Sequence, residues 1–390
     1  MRQQKPAVVS RHLRVAEKPA SHPVSVERLL SLDAFRGITI AAMILVNNPG
    51  AWHAYAPLQH ADWNGCAPAD LIFPFFLFIV GVAVTFSIGD RVRRGDQQRA
   101  LFVKIARRTL IIFALGMLLN GFPYFDWEIM RVPGVLQRIA VCYCVTAVIV
   151  LAVGVRGQVI TAAVLLIAYW LLMTLVPVPG HGVASLGPAT NLGAYVDNRL
   201  LRGHLLHHHW DPEGVLSTLP AIATTLSGVL AGHWLRSQRS PVDRVAGLFV
   251  AGNGAMVLGL ITDAWFPINK SLWSSSYVLF TSGAALNVLG VCYWLIDIQG
   301  YRRWAAPFVI YGTNPILAYV LSSLMGKAML LWKITRADGT RVALRKYIME
   351  TFLLPVTSPL NASLLYAVVF VLFWLGVTAY LYRRRIFIKI

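Results

Sequence analysis

Charge is scarce in this 390-residue sequence, and acidic charge scarcer still: 13% of residues are charged, with 17 Asp and Glu against 35 Lys and Arg. A soluble protein of this length can bury a large core, but it needs a charged surface that this chain lacks, which excludes a soluble globular fold. Cysteine is equally sparse. Cys142 and Cys144, two apart, would leave a helix on different sides, and Cys66 and Cys292 have no evident partner. That excludes a disulfide framework and a cysteine-based zinc site. The apolar segments show no period-2 alternation, which excludes an outer-membrane barrel. The first thirty residues contain no signal-peptide apolar core, so the first span is expected to be an uncleaved anchor. No strong internal repeat and no soluble domain interrupts the pattern.

What is there instead is apolar: 57% of the residues, gathered into long runs. Ten stretches have membrane-spanning character, near 34–49, 69–89, 109–122, 133–153, 157–177, 215–235, 243–263, 274–296, 305–327 and 361–382. The third is short, consistent with a tilted or partial span. Backbone groups in hydrocarbon must be satisfied within their own segment, so the expected fold is an all-α polytopic membrane protein, a bundle of about ten transmembrane helices. Lys and Arg concentrate in the N-terminal tail (Arg2, Lys5, Arg11, Arg14, Lys18, Arg28), in RVRRGDQQRALFVKIARR, in RSQRSPVDR and in YRRRIFIKI. With ten spans these all fall on one face, which the positive-inside rule makes cytoplasmic, together with both termini. The longer, less basic loops 50–68, 178–214 and 328–360 then face outward. Residues 1–27 read as a disordered basic cytoplasmic tail and 28–390 as one membrane domain. The net charge of +18 sits beside helix ends, where it suits anionic lipid headgroups; no nucleic-acid module accompanies it.

Ionisable groups in or at the lip of a membrane are costly, and each such group here has a structural and a functional reading. Asp33 and Arg36, three apart at the start of span one, form either a helix-end salt bridge or an anion site. Asn47 and Asn48 end that span before Pro49 and Gly50; an asparagine amide at this mouth is also a donor for a developing oxyanion. QHADWNGCAPAD puts His60, Asp62, Trp63 and Asn64 ahead of span two, with Asp70 at its N-terminus, where Pro68 and an acid both suit a helix start. Arg138 lies over one turn inside span four and needs an anion, either a carboxylate from another helix or a ligand phosphate. His204 and the adjacent His207, His208 and His209 cannot all face one ion, and no carboxylate completes a familiar spacing, so no metal site is expected. Beyond them, the turn Asp211-Pro212-Glu213-Gly214 sets Glu213 at the mouth of span six. In DAWFPINKSLW, Asn269 precedes Lys270, a cation on the face with the fewest cations, and Asn314-Pro315 breaks span nine at a depth where breakage marks a cavity.

Seven motifs assemble these residues: LDAFRG, VNNPG, HADWNG followed by ADLIFPFFLFIVG, GVLQRIAV, DPEG, INKSLW with SSYVLF, and GTNPILAYV, in order from about residue 28 to 325. In them the chain resembles the heparan-α-glucosaminide N-acetyltransferase family and its bacterial relatives, within the transmembrane acyltransferases. The resemblance implies an acetyl-CoA-dependent acyltransferase of the bacterial inner membrane, acting on the amine of a glucosamine-type sugar. The histidine of H-A-x-W-N-G is the family's catalytic residue, which carries over to His60, and the asparagine closing span one carries over to Asn47. Asp62 stands where a serine is expected, the segment between Asn47 and His60 is slightly longer, and no counterpart of the large luminal N-terminal region of the lysosomal enzyme is expected; these departures bear on the acceptor. Asp70 joins His60 and Asn47 as a catalytic candidate. Arg138, Arg36, Lys270, Asn269 and Asn314 are the candidates for acetyl-CoA, and Glu213, Trp63, Asn64 and Asp62 those for the sugar. Expected partners are these two small molecules, membrane lipids and a second copy of the chain in a homodimer.

The chemistry is consistent with that site. A protonated amine is no nucleophile, and imidazole, with an unperturbed pKa of about 6.5, suits removal of the proton. His60 then serves as general base or as a nucleophile carrying the acetyl group. Two rivals stand beside this reading. A secondary sugar transporter shares the broken helices and polar midplane groups, but the chain shows no inverted repeat and has its titratable cluster at the outer lip. O-acetylation of a periplasmic glycan differs only in the acceptor.

Overall fold

The computed structural model describes residues 29–51, 54–93 and 97–388, so the basic tail expected over 1–27 lies outside the described residues. Helices α1 (Leu30–Asn47), α2 (Ile72–Arg93), α3 (Gln98–Gly121), α4 (Val135–Ala152) and α5 (Val155–Leu175) come first. A short helix, α6 (Leu192–Leu200), precedes α7 (Thr218–Leu235), α8 (Pro241–Thr262) and α9 (Ser275–Cys292). The chain then forms α10 (Ala306–Thr313), α11 (Pro315–Leu331), a hairpin of β1 (Lys333–Thr335) against β2 (Arg341–Ala343), α12 (Leu344–Ile348) and α13 (Pro359–Arg383). Local chemistry sets many of the starts: Ser240 and Ser274 cap α8 and α9 by accepting from Asp243 and Tyr277, and Pro359 occupies the first turn of α13.

Among the described residues seven helical segments are long and apolar enough to cross a membrane, and an eighth is added if α10 and α11, bent by 84° at Asn314, count as one broken span. The expected segments near 109–122 and 215–235 do form helices, α3 and α7, but lie outside that set. Their polarity has different causes. The first half of α3 carries Lys104, Arg107 and Arg108. Helix α7 carries Thr224, Thr225, Ser227 and His233, but it is enclosed by α2, α4, α5 and α9, so its polar groups meet protein and not lipid. Thr224 and Thr225 are fully buried and donate to their own helix backbone.

Helices α2 and α7 touch backbone to backbone. A Cβ on Gly81 of α2 would overlap the Thr225 carbonyl of α7, and one on Gly228 of α7 would overlap the Phe78 carbonyl of α2. Helices α1 and α10 meet in the same way, Gly37 against Phe308 and Gly312 against Asp33. Without a hydrophobic force between helices in lipid, this close approach supplies dispersion contact. The main core fills the space among α1, α2, α4, α7, α9 and α11 with Ile40, Phe73, Leu136, Leu226 and Trp273, all nearly inaccessible.

Candidate active site

Helix α2 is entered through a single tight turn, Pro68–Leu71, whose third residue is Asp70. The Asp70 carboxylate is buried and organises the loop before it. Its Oδ2 accepts from the backbone N–H of Ala61 (3.1 Å) and Ala67 (2.9 Å), and its Oδ1 lies 2.7 Å from His60 Nδ1. Loop 60–67 is thus wound on one side chain, with the imidazole about half exposed at its rim (48%). The Asp70 backbone carbonyl in turn accepts from Tyr277 Oη of α9 at 2.6 Å. Gly65 takes φ +105°, which only glycine adopts without strain, and turns the loop toward the α8–α9 connection. There its N–H donates to the Ile268 carbonyl at 2.7 Å.

That connection delivers Lys270. Its Nζ stands 3.3 Å from Asp70 Oδ1 and 2.9 and 3.1 Å from Nδ1 and Nε2 of His60. Burial pulls the Lys270 ammonium below the usual lysine range, against the opposing pull of Asp70 and Glu213. Asn269, fully buried beside it, donates Nδ2 to Asn64 Oδ1 (3.1 Å) and accepts from Leu272 N–H (2.8 Å), so it ties the two loops together. Cys66 shares the loop, but burial and the nearby Asp70 carboxylate push its thiol up to about 12, so it stands as a neutral thiol at physiological pH.

A second cluster lies within electrostatic reach of Lys270. Arg131, just before α4, holds Asp211 through Nε (2.8 Å) and Nη2 (2.6 Å) and also pairs with Glu213. Burial opposes ionisation of Asp211, but the Arg131 fork holds its carboxyl below the usual range. Arg138 is buried one level deeper. Nη2 donates to the Gly214 carbonyl at 3.1 Å and to Ser217 Oγ, its guanidinium stands 5.1 Å from the Trp273 ring, and Nε and Nη1 find no partner among the described residues. Asp197, on the other side of the Gly214 turn, accepts from Val215 N–H at 2.7 Å; burial pushes its carboxyl up to about 6. Trp63 donates Nε1 to the Leu186 carbonyl (3.0 Å) and meets Trp210 edge to face, while His207 stacks on Trp210 at 4.4 Å. His204 pairs with the Met130 carbonyl. No grouping of His, Cys, Asp and Glu suited to a metal occurs among the described residues.

The remaining expected residues lie apart. Asn47 is exposed at the end of α1 and makes no hydrogen bond to His60 among the described residues. Asp62 is exposed on the His60 loop. Arg36 pairs with Asp33 (3.0 Å), donates to the Gly312 carbonyl (3.2 Å), and lines a cavity of about 540 Å³ with Lys104, Arg107, Arg108 and Tyr143. No Asp or Glu is among the described residues lining that cavity. Asn314 is buried at its edge. The three cations named as candidates for acetyl-CoA lie apart: Lys270 on His60, Arg138 beneath the Gly214 turn, and Arg36 at the far cavity. Arg131 escaped the sequence reading. Its signal was the one that marked Lys270, a lone arginine between apolar runs on the face poor in cations.

The family model for the catalytic region of heparan-alpha-glucosaminide N-acetyltransferase matches residues 28–261. The human heparan-alpha-glucosaminide N-acetyltransferase is 30% identical over 93% of this chain and 60% of its own length. The mouse protein of the same name is 29% identical over 96% of this chain and 62% of its own length. The chain thus spans about three fifths of the length of the curated relatives it matches.

Proposed function

The chain belongs to the heparan-alpha-glucosaminide N-acetyltransferase catalytic family, and from that membership and the geometry of the His60 loop we propose that it is a membrane acetyltransferase, moving an acetyl group from acetyl-CoA to the amine of a glucosamine-type sugar. The observation that carries the reading is the triad of His60, Asp70 and Lys270 at one end of α2 with a cationic cavity along the same helix. Phe76, Val80, Ala83 and Ser87 of α2 face that cavity at helical spacing. Phe76 follows Asp70 by six residues, about 9 Å of helix.

In this reading the coenzyme's phosphates meet Arg36, Lys104, Arg107 and Arg108, and its acetyl end points along α2 toward His60. Arg138, beneath the Gly214 turn, is its contact toward the acetyl end. The sugar amine approaches from the opposite side beside Glu213, with Trp63, Asn64 and Asp62 at the rim. Asp70 accepts from Nδ1–H and so leaves Nε2 of His60 as the basic nitrogen. Nε2 takes the amine proton as nitrogen bonds to the thioester carbonyl carbon. Lys270 offers the developing oxyanion its ammonium, a part the sequence had assigned to Asn47. The carbon–sulfur bond then breaks, and the thiolate collects the proton from His60. Ten spans including α3 and α7, both termini cytoplasmic and a bacterial inner membrane complete the proposal, supported by the charge pattern of the loops.

The test is transfer of label from acetyl-CoA to glucosamine by the protein in proteoliposomes. His60→Ala should abolish turnover and leave acetyl-CoA affinity within a few-fold; turnover at the wild-type rate would overturn the reading. Rapid-quench mass spectrometry with acetyl-CoA alone separates the two roles of His60, since only a nucleophile acquires the label.

A further inference from the structure

Asn314 occupies the N-cap position of α11 yet makes no side-chain cap to that helix. An asparagine there ordinarily spends its oxygen on the helix's own orphan N–H groups. Here the whole amide is spent elsewhere: Nδ2 donates to the Ile386 carbonyl at 3.0 Å, and Oδ1 accepts from Ile388 N–H at 2.8 Å. This two-point pairing reads alternate residues of an extended segment, as a neighbouring strand would. The segment reaches it by leaving α13 through Arg385, at φ 57°, and folding back onto the break between α10 and α11. Ile388 then lines the cationic cavity together with Gly312, Thr313 and Pro315 from the break itself. Arg36 donates to the Gly312 carbonyl on the same turn. One wall of the cavity is therefore a strap that one buried side chain pins to the break, while Ile386 N–H holds its start to the Leu381 carbonyl of α13.

We propose that Asn314 is a positioning residue that latches the segment Ile386–Ile388 as a wall of the nucleotide site, and that the latched strap makes the enzyme select an acyl donor carrying a phosphorylated nucleotide. The proposal rests on the acetyl-CoA reading above and adds what recognises the nucleotide end. Asn314 touches none of the reacting atoms. Unlatching the strap opens the cavity beside Arg36 and weakens the hold on the nucleotide, while the His60 loop at the other end of α2 keeps its own hydrogen bonds.

The experiment compares two donors on the full chain: acetyl-CoA, and S-acetyl-N-acetylcysteamine, a thioester without the nucleotide. Asn314→Leu should raise KM for acetyl-CoA at least tenfold with kcat within two-fold, and leave turnover of the short thioester unchanged. Ile388→Gly removes the wall without touching the break and should act in the same direction; it carries the test if the Leu variant fails to fold. Equilibrium dialysis with adenosine 3′,5′-bisphosphate, the nucleotide end of coenzyme A, should show at least tenfold weaker binding in both variants. Wild-type KM and wild-type nucleotide affinity in a folded variant would overturn the latch, as would equal losses on both donors. A wild-type protein that transfers nothing from acetyl-CoA would instead sink the functional reading on which the latch depends.

Discussion

Asp70 satisfies four partners with one side chain: the imidazole of His60, the ammonium of Lys270 and two backbone N–H groups. An asparagine in its place has one acceptor oxygen, so the ring or the loop must lose a partner, and the N–H groups left over are expensive to bury. Asp70→Asn should therefore lower turnover by about 10²–10⁴, the range associated with loss of a positioned base, with acetyl-CoA affinity within a few-fold. Wild-type kcat in that variant would reduce Asp70 to a loop anchor. Asp197 makes a separate, pH-dependent prediction. Burial raises its carboxyl from the ordinary 3.8 to about 6. Between those values the native state holds a proton that the unfolded chain has released, so stability falls as pH rises through the window. The full loss is reached above about pH 6 and is roughly 3 kcal/mol. Asp197→Asn keeps an oxygen for Val215 N–H and cannot ionise. Its melting temperature relative to wild type should accordingly be more favourable at pH 7.5 than at pH 4.5, and an equal offset at both would show that Asp197 does not titrate there.

At the scale of the element, the crossing of α2 and α7 at Gly81 and Gly228 sets where Asp70 ends up, because α2 is a rigid rod from the crossing to its outer end. A Leu at Gly81 must push the Thr225 carbonyl away. Such overpacking against backbone costs about 1–3 kcal/mol or more. Gly81→Leu should lower the melting temperature and the yield of folded protein, whereas Gly254→Leu on the outer side of α8, where a side chain meets open space, should change neither. Equal behaviour of the two would mean that α2 and α7 are not in backbone contact. The same crossing explains why α7 tolerates Thr, Ser and His: a helix enclosed on four sides is solvated by its neighbours.

For the whole molecule, the proposed chemistry needs two compartments, with the acceptor outside and the coenzyme inside. On a background freed of native cysteines, Asp62→Cys, exposed on the His60 loop, should react with an impermeant thiol reagent added outside intact cells. Arg107→Cys, exposed at the cationic cavity, should react only after the membrane is opened. The reverse pattern would invert the orientation and put the nucleotide cavity on the wrong side for a cytoplasmic coenzyme.

The apolar runs determined the helices by themselves, because hydrocarbon leaves a backbone no partner but its own. Spacing also put two acids near His60, Asp62 at two residues and Asp70 at ten, without choosing between them; the turn before α2 sets Asp70 on the ring. The same spacing could not reveal that Lys270 joins them from 210 residues away, or that Arg131 closes on Asp211 across 80. It also marked Asn314 as a break without showing that its amide holds Ile386 and Ile388. Those contacts depend on how far each helix slides and turns against the next. That is decided by where small residues let backbones touch, as at Gly81 and Gly228, and only the packed bundle brings such distant positions to one place.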